Sequence, residues 1–143
     1  MKPLLDTWQF WALLSAGFAA LTAIFAKIGV GPIDSDLATF LRTLVVLALL
    51  AVILTLTGGW RSPGAIPPRA ALFLVLSGFA TGASWLCYFR ALKLGDAARV
   101  APIDKLSVVL VAVFGVVFLG ETLTLRYALG AGLVAIGLIV IQS

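Results

Sequence analysis

Long apolar runs alternate along the chain with short polar or Gly- and Pro-rich breaks, and the runs predict five helices over about residues 8–30, 36–57, 68–93, 97–119 and 124–141. Each is near or above the roughly 20 residues that a helix needs to cross the hydrocarbon core of a bilayer. The breaks carry helix-stop chemistry. Gly31-Pro32 closes the first run, Gly58-Gly59 the second, Gly95 the third and Gly120 the fourth. The connector Trp60, Arg61, Ser62, Pro63, Gly64 is too rich in Pro and Gly to be helical. Asp34 or Asp36 is placed to cap the second helix, and Asp96 the fourth. No run alternates with a period of two, which excludes strands of a lumen-lining barrel. The expected fold is all-α and integral to the membrane, a five-transmembrane-helix bundle in a single domain over residues 1–143.

Composition agrees and narrows the chemistry. Of 143 residues, 62% are hydrophobic and 11% charged, and the mean hydropathy is +1.17, far from a soluble domain. Lys2 and the first apolar run resemble a signal peptide, but the run is longer than a signal core and lacks a convincing cleavage site, so it is read as a retained span. Trp8, Phe10 and Trp11 form an interfacial aromatic belt at its start. With no His and a single cysteine, Cys87, there is no imidazole base, no Cys/His metal cluster and no internal disulfide. No carboxylates pair at one depth, so neither an enzyme nor a cofactor or metal site is expected. The net charge of +4 comes from dispersed Lys and Arg residues without a basic run, which argues against nucleic acid as a partner.

An odd number of crossings puts the termini on opposite sides. Lys2, Arg61, Arg69 and Arg126 lie on the N-terminal side; Lys27, Arg42, Arg90, Lys93, Arg99 and Lys105 lie on the other, making ten in all. Without the four inside or at the margins of the apolar runs (Lys27, Arg42, Arg90, Lys105) the second side falls to Lys93 and Arg99, and the bias reverses. Such a balance predicts either weak N-in insertion or insertion both ways.

Ionisable residues within spans are costly, and they are the functional candidates. Arg42 lies about six residues into the second helix, roughly 9 Å along its axis. Two readings are open for it, a functional cation or a long side chain that snorkels to the interface. Lys27 and Arg90 are nearer their helix ends, and snorkelling is the expectation for both. Asp104 and Lys105 lie about eight residues, roughly 12 Å, into a fourth helix that starts after Asp96. Pro102 would kink that helix and free the Ala98 carbonyl. The alternative starts the helix at Pro102, which makes Asp104 a first-turn carboxylate. Thr81, Trp85 and Tyr88 recur at helical spacing, so a mixed aromatic and cationic wall near Arg90 is one reading and plain packing the other. Gly78 and Gly82 make a GxxxG step. Gly130, Ala131 and Ala135 give the fifth helix a small-residue face suited to close packing or a dimer seam.

Together these residues carry a family resemblance. Phe-Leu-Arg-Thr at 40–43, Trp-Leu-Cys-Tyr-Phe-Arg-Ala-Leu-Lys-Leu-Gly at 85–95, Val-Ala-Pro-Ile-Asp-Lys-Leu-Ser at 100–107 and Phe-Leu-Gly-Glu-Thr-Leu-Thr at 118–124 resemble one repeat of the EamA family of the drug/metabolite transporter superfamily. The resemblance covers nearly the whole chain, most specifically in the fourth-helix segment and the Leu-Gly-Glu turn. It implies secondary transport, commonly export, of amino acids or other small metabolites, by a multi-pass protein of a bacterial inner membrane. Arg42, Trp85, Tyr88, Pro102, Asp104 and Lys105 fall where the family pattern has cavity-lining or signature residues, and Glu121 falls in its structural turn.

Two departures shape the expectation. Family members usually carry two repeats, ten helices with inverted halves, whereas this chain supplies one; an antiparallel homodimer of dual topology would supply the other. The related four-helix multidrug exporters use a buried glutamate in the first helix, and residues 8–30 contain no acidic group. Asp104 is the acidic residue deep enough to replace it. The excess of cations within the spans favours carboxylate-bearing substrates bound by Arg42 and Lys105. The competing readings are a non-transporting membrane subunit or scaffold and one half of a heteromeric transporter; the remaining expected partner is membrane lipid.

Overall fold

The computed structural model describes residues 7–143, so Lys2 lies outside the described residues. The elements are α1 (Trp8–Val30), α2 (Ser35–Thr57), a short 3-10 turn (Pro63–Ala65), α3 (Pro68–Leu94), α4 (Ala97–Asp104), α5 (Ser107–Leu119) and α6 (Leu125–Gln142), and no strand occurs among the described residues. Among the described residues five stretches are long and apolar enough to cross a membrane, with Ala97–Leu119 counted as one. Large apolar side chains such as Leu13, Phe18, Leu47, Phe79, Phe118 and Leu133 are exposed on these helices. An aqueous protein of this size cannot present that much apolar surface, and lipid can cover it. Thr39, Thr43, Thr55 and Thr57 return their hydroxyl protons to the carbonyl four residues back, so none carries an unmet donor into the bilayer.

The chain divides into two compact units, one of Phe25–Leu94 and one of the described residues through Ile24 with Gly95–Ser143. Within the first, α2 packs on α3. The cap of α2 is Asp34, whose Oδ1 accepts from the backbone N–H groups of Asp36 at 2.9 Å and Leu37 at 3.2 Å. Its end is Gly58 at φ 64°, a left-handed position that suits glycine. The most buried side chains of this unit are Val30 and Leu92.

In the second unit α6 packs on α4 and α5, and Gln142 Nε2 donates to the Arg99 carbonyl at 2.8 Å. The expected single kinked helix over 97–119 is instead two helices separated at Lys105 and Leu106. Pro102 lies inside α4, so it does not start the helix, and Asp104 is the last residue of α4 rather than a first-turn carboxylate. The turn is built from tightened bonds: the N–H groups of Lys105, Leu106, Val108 and Val109 each donate to the carbonyl three residues back. The interruption thus falls after the proline, not at the Ala98 carbonyl. Asp96 occupies the cap position of α4 but its side chain makes no capping bond. Gly120 ends α5 at φ 66°. The Glu121 N–H then donates to the Gly115 carbonyl, and the Glu121 carboxylate lies against Gly115, where a Cβ would meet it.

Candidate functional site

Helical spacing places Trp85, Tyr88, Phe89 and Leu92 on one face of α3; Trp85 and Tyr88 are half-buried and Phe89 and Leu92 buried. Thr81, expected on the same stripe, is exposed. Arg42 of α2 meets this face. Its guanidinium carbon stands 3.6 Å over the Trp85 ring centre and 5.7 Å from that of Phe89, and Tyr88 belongs to its electrostatic surroundings. The snorkelling alternative for Arg42 therefore gives way to a cation held against aromatic rings. Its position, seven residues past Ser35, is roughly 10 Å along the helix.

Arg42 Nη1 is buried and has no hydrogen-bond partner among the described residues. A cation–π contact is worth about 0.5 to 2 kcal/mol, whereas a buried donor left unmet costs about 1 to 3 kcal/mol, more when charged. Stacking alone does not balance that loss. Nη1 has almost no accessible surface, so an acceptor from outside the chain would have to meet the guanidinium along its other nitrogens.

At the ends of the helices the basic residues behave differently. Arg90 grips Asp36 with a two-pronged bond, Nε to Oδ1 at 3.1 Å and Nη2 to Oδ2 at 2.7 Å. Lys27 Nζ donates to the Leu92 carbonyl at 2.7 Å, and Lys93 Nζ to that of Ile33. Lys27, Arg90 and Lys93 thus tie the end of α1, the start of α2 and the end of α3 to one another. Arg90 also drops out of the mixed wall proposed around Trp85, because its fork is filled. The sequence signal, a carboxylate opening one helix and an arginine near the end of the next, spans 54 positions.

The Asp36–Arg90 pair makes a direct prediction. Arg90→Asp, which opposes two carboxylates, should lower the midpoint of detergent-induced unfolding, and the swapped variant Asp36→Arg/Arg90→Asp should recover more than half of the loss. Equal midpoints for the single and swapped variants would show that the pair contributes nothing.

In the other unit Lys105 Nζ contacts Asp104 Oδ2 at 3.3 Å, with both side chains partly exposed. The pair sits where α4 stops and α5 has yet to start, with Asp104 the last residue of α4 and Lys105 at its cap position. On α6, Ala131 and Ala135 are half-buried within the chain, and Gly130 has open space where a Cβ would stand. Gly78 and Gly82 line a shallow groove with Val75, Phe79, Ala83 and Leu86, all on α3. Phe89, Leu92 and Asp36 are the residues that sequence reading did not place around the candidates. Phe89 and Leu92 could have been found by extending the Trp85–Tyr88 face by one turn.

Comparison with known proteins gives two matches. Residues 6–143 match the EamA-like transporter family. A Sinorhizobium sp. protein named "Uncharacterized transporter in cobO 3'region" is 65% identical over 132 residues, covering 92% of this chain and 94% of the relative. No solved structure matches.

Proposed function

Because the chain belongs to the EamA-like transporter family, we propose that this integral membrane protein exports small carboxylate-bearing metabolites, such as amino acids, across a bacterial inner membrane. In this reading it is a secondary transporter that works by alternating access as an antiparallel homodimer. The observation that carries the reading is Arg42, a cation inside a span that is stacked on Trp85 and has a buried donor with no partner among the described residues. An intramembrane arginine so placed is expensive unless it meets a ligand. Within its own unit Arg42 binds the negative group and Trp85 and Tyr88 shape the surroundings; in the other unit Lys105 offers a second cation, and Asp104 pairs with Lys105 or titrates with transport. The interruption after α4 supports the same view, since transporters commonly build sites from discontinuous helices with charged groups at the break.

One five-helix unit offers one half of an inverted pair, and the near-balanced Lys and Arg count is compatible with insertion in both directions. Gly130, Ala131 and Ala135 form the proposed seam, where small side chains allow close approach. The test introduces cysteines near both termini after replacing the exposed Cys87. Labelling of each terminus from both sides of intact cells, with saturable flux of a carboxylate substrate in reconstituted vesicles, is the expected result. One fixed orientation would sink the antiparallel homodimer. A chain that is monomeric and gives no flux would be a scaffold, and co-purification of a second half would make it a heteromer.

A further inference from the structure

Building on the reading of Arg42 as the anion-binding group, we propose that Trp85 is a positioning residue: its indole holds the guanidinium plane so that the accessible edge of the N–H fork favours one planar carboxylate over a tetrahedral oxyanion. The distance sets the orientation. A guanidinium carbon 3.6 Å from the ring centre is at stacking separation, and an edge-on approach would push at least one nitrogen well inside van der Waals contact of the indole. The planes therefore lie close to parallel. Stacking uses the face of the cation and none of its five donors, which all point outward in the plane.

That geometry selects among anions. A carboxylate meets the fork with both oxygens in the guanidinium plane, so it can lie flat above the level of the indole. A phosphate meets the same two donors but carries further oxygens above and below the plane, and on one side those face the aromatic ring. Phe89, with its ring centre 5.7 Å from the guanidinium carbon, adds a second apolar surface that offers such oxygens no donor. Nη1 is buried without a partner among the described residues, so the edge an incoming carboxylate meets is the one that carries Nε and Nη2. Lysine could not take the role, since an ammonium has neither a plane to stack nor a fork to present.

The test measures modification of Arg42 by phenylglyoxal in the full-length chain in phosphatidylcholine vesicles, read by peptide mass, with benzoate or inorganic phosphate at equal concentration. Arg61, in the loop after α2, serves as the internal control within the same molecule. Benzoate should slow modification of Arg42 by at least about fivefold and leave Arg61 unchanged, while phosphate at the same concentration protects Arg42 by less than about twofold. Trp85→Phe should retain protection with a half-protecting concentration raised about threefold, and Trp85→Ala should raise it at least about tenfold, in line with the strength of cation–π stacking. Equal protection by phosphate would overturn the carboxylate selectivity. Protection in Trp85→Ala as in the wild type, or an equal loss in the Phe and Ala variants, would overturn the positioning role. Protection of Arg42 without flux would leave this inference standing and remove the transport reading; flux with Arg42 unprotected by benzoate would do the reverse.

Discussion

Arg42→Ala is expected to lower carboxylate flux in reconstituted vesicles by about 100-fold, a loss of about 2.7 kcal/mol of binding in the transport cycle. The figure follows from what the side chain can offer. Two charge-assisted hydrogen bonds to a carboxylate contribute about 1.5 to 3 kcal/mol each, and part of that is recovered by water entering the vacated space. Arg42→Lys should remain impaired despite its charge, because the flat guanidinium over Trp85 at 3.6 Å is not reproduced by an ammonium on a flexible stem. The measurement is initial rate against substrate concentration, with folded protein quantified by its elution as a single species in detergent. Wild-type flux from Arg42→Ala would show that the guanidinium does not meet substrate.

The second large effect concerns stability. Leu92 has no exposed surface, whereas Leu94, two residues on, is 90% exposed. In a soluble protein a buried Leu→Ala change costs about 2 to 5 kcal/mol through lost transfer and a residual cavity. Within a bilayer the transfer part shrinks, because lipid tails are as apolar as leucine; the lost packing remains. Leu92→Ala is therefore expected to cost about 2 kcal/mol in a reversible detergent-unfolding titration, near the lower end of that range. Leu94→Ala should cost well under 1 kcal/mol. Lys27 Nζ bonds to the Leu92 carbonyl, so the larger loss should be accompanied by loosening of the α1–α3 tie, seen as faster hydrogen exchange near the end of α3. Equal costs for the two substitutions would place Leu92 outside the packed part of its unit.

Family membership and the helical architecture follow the sequence reading closely, and the reason is physical. Runs of about 20 apolar residues and left-handed glycine stops act along the chain itself, so Gly58 and Gly120 could be read as helix ends without any tertiary information. The capping choice was narrower: Asp34 and Asp36 were both admissible, and the structure uses Asp34 as the cap while Asp36 turns to Arg90. Pro102 marked a disturbance in the fourth span correctly but misplaced it. A proline announces which hydrogen bond is missing; where the helix resumes depends on the run of three-residue bonds at 105–109.

Arg42, Trp85, Tyr88, Asp104 and Lys105 were each legible as polar or aromatic residues out of keeping with their surroundings. Their partners were not. Whether Arg42 snorkels or stacks depends on which face of α3 packs against α2, and whether Arg90 is free depends on a carboxylate 54 positions away. Hydropathy, helix stops and the charge inventory are set within a turn or two of chain, and the sequence alone determined them. The pairing of Arg42 with Trp85, the filled fork of Arg90 and the buried, unmet donor at Nη1 arise between helices distant in sequence. Only tertiary structure decided those, because contact energy is set by the distance between side chains in space and not by their separation along the chain.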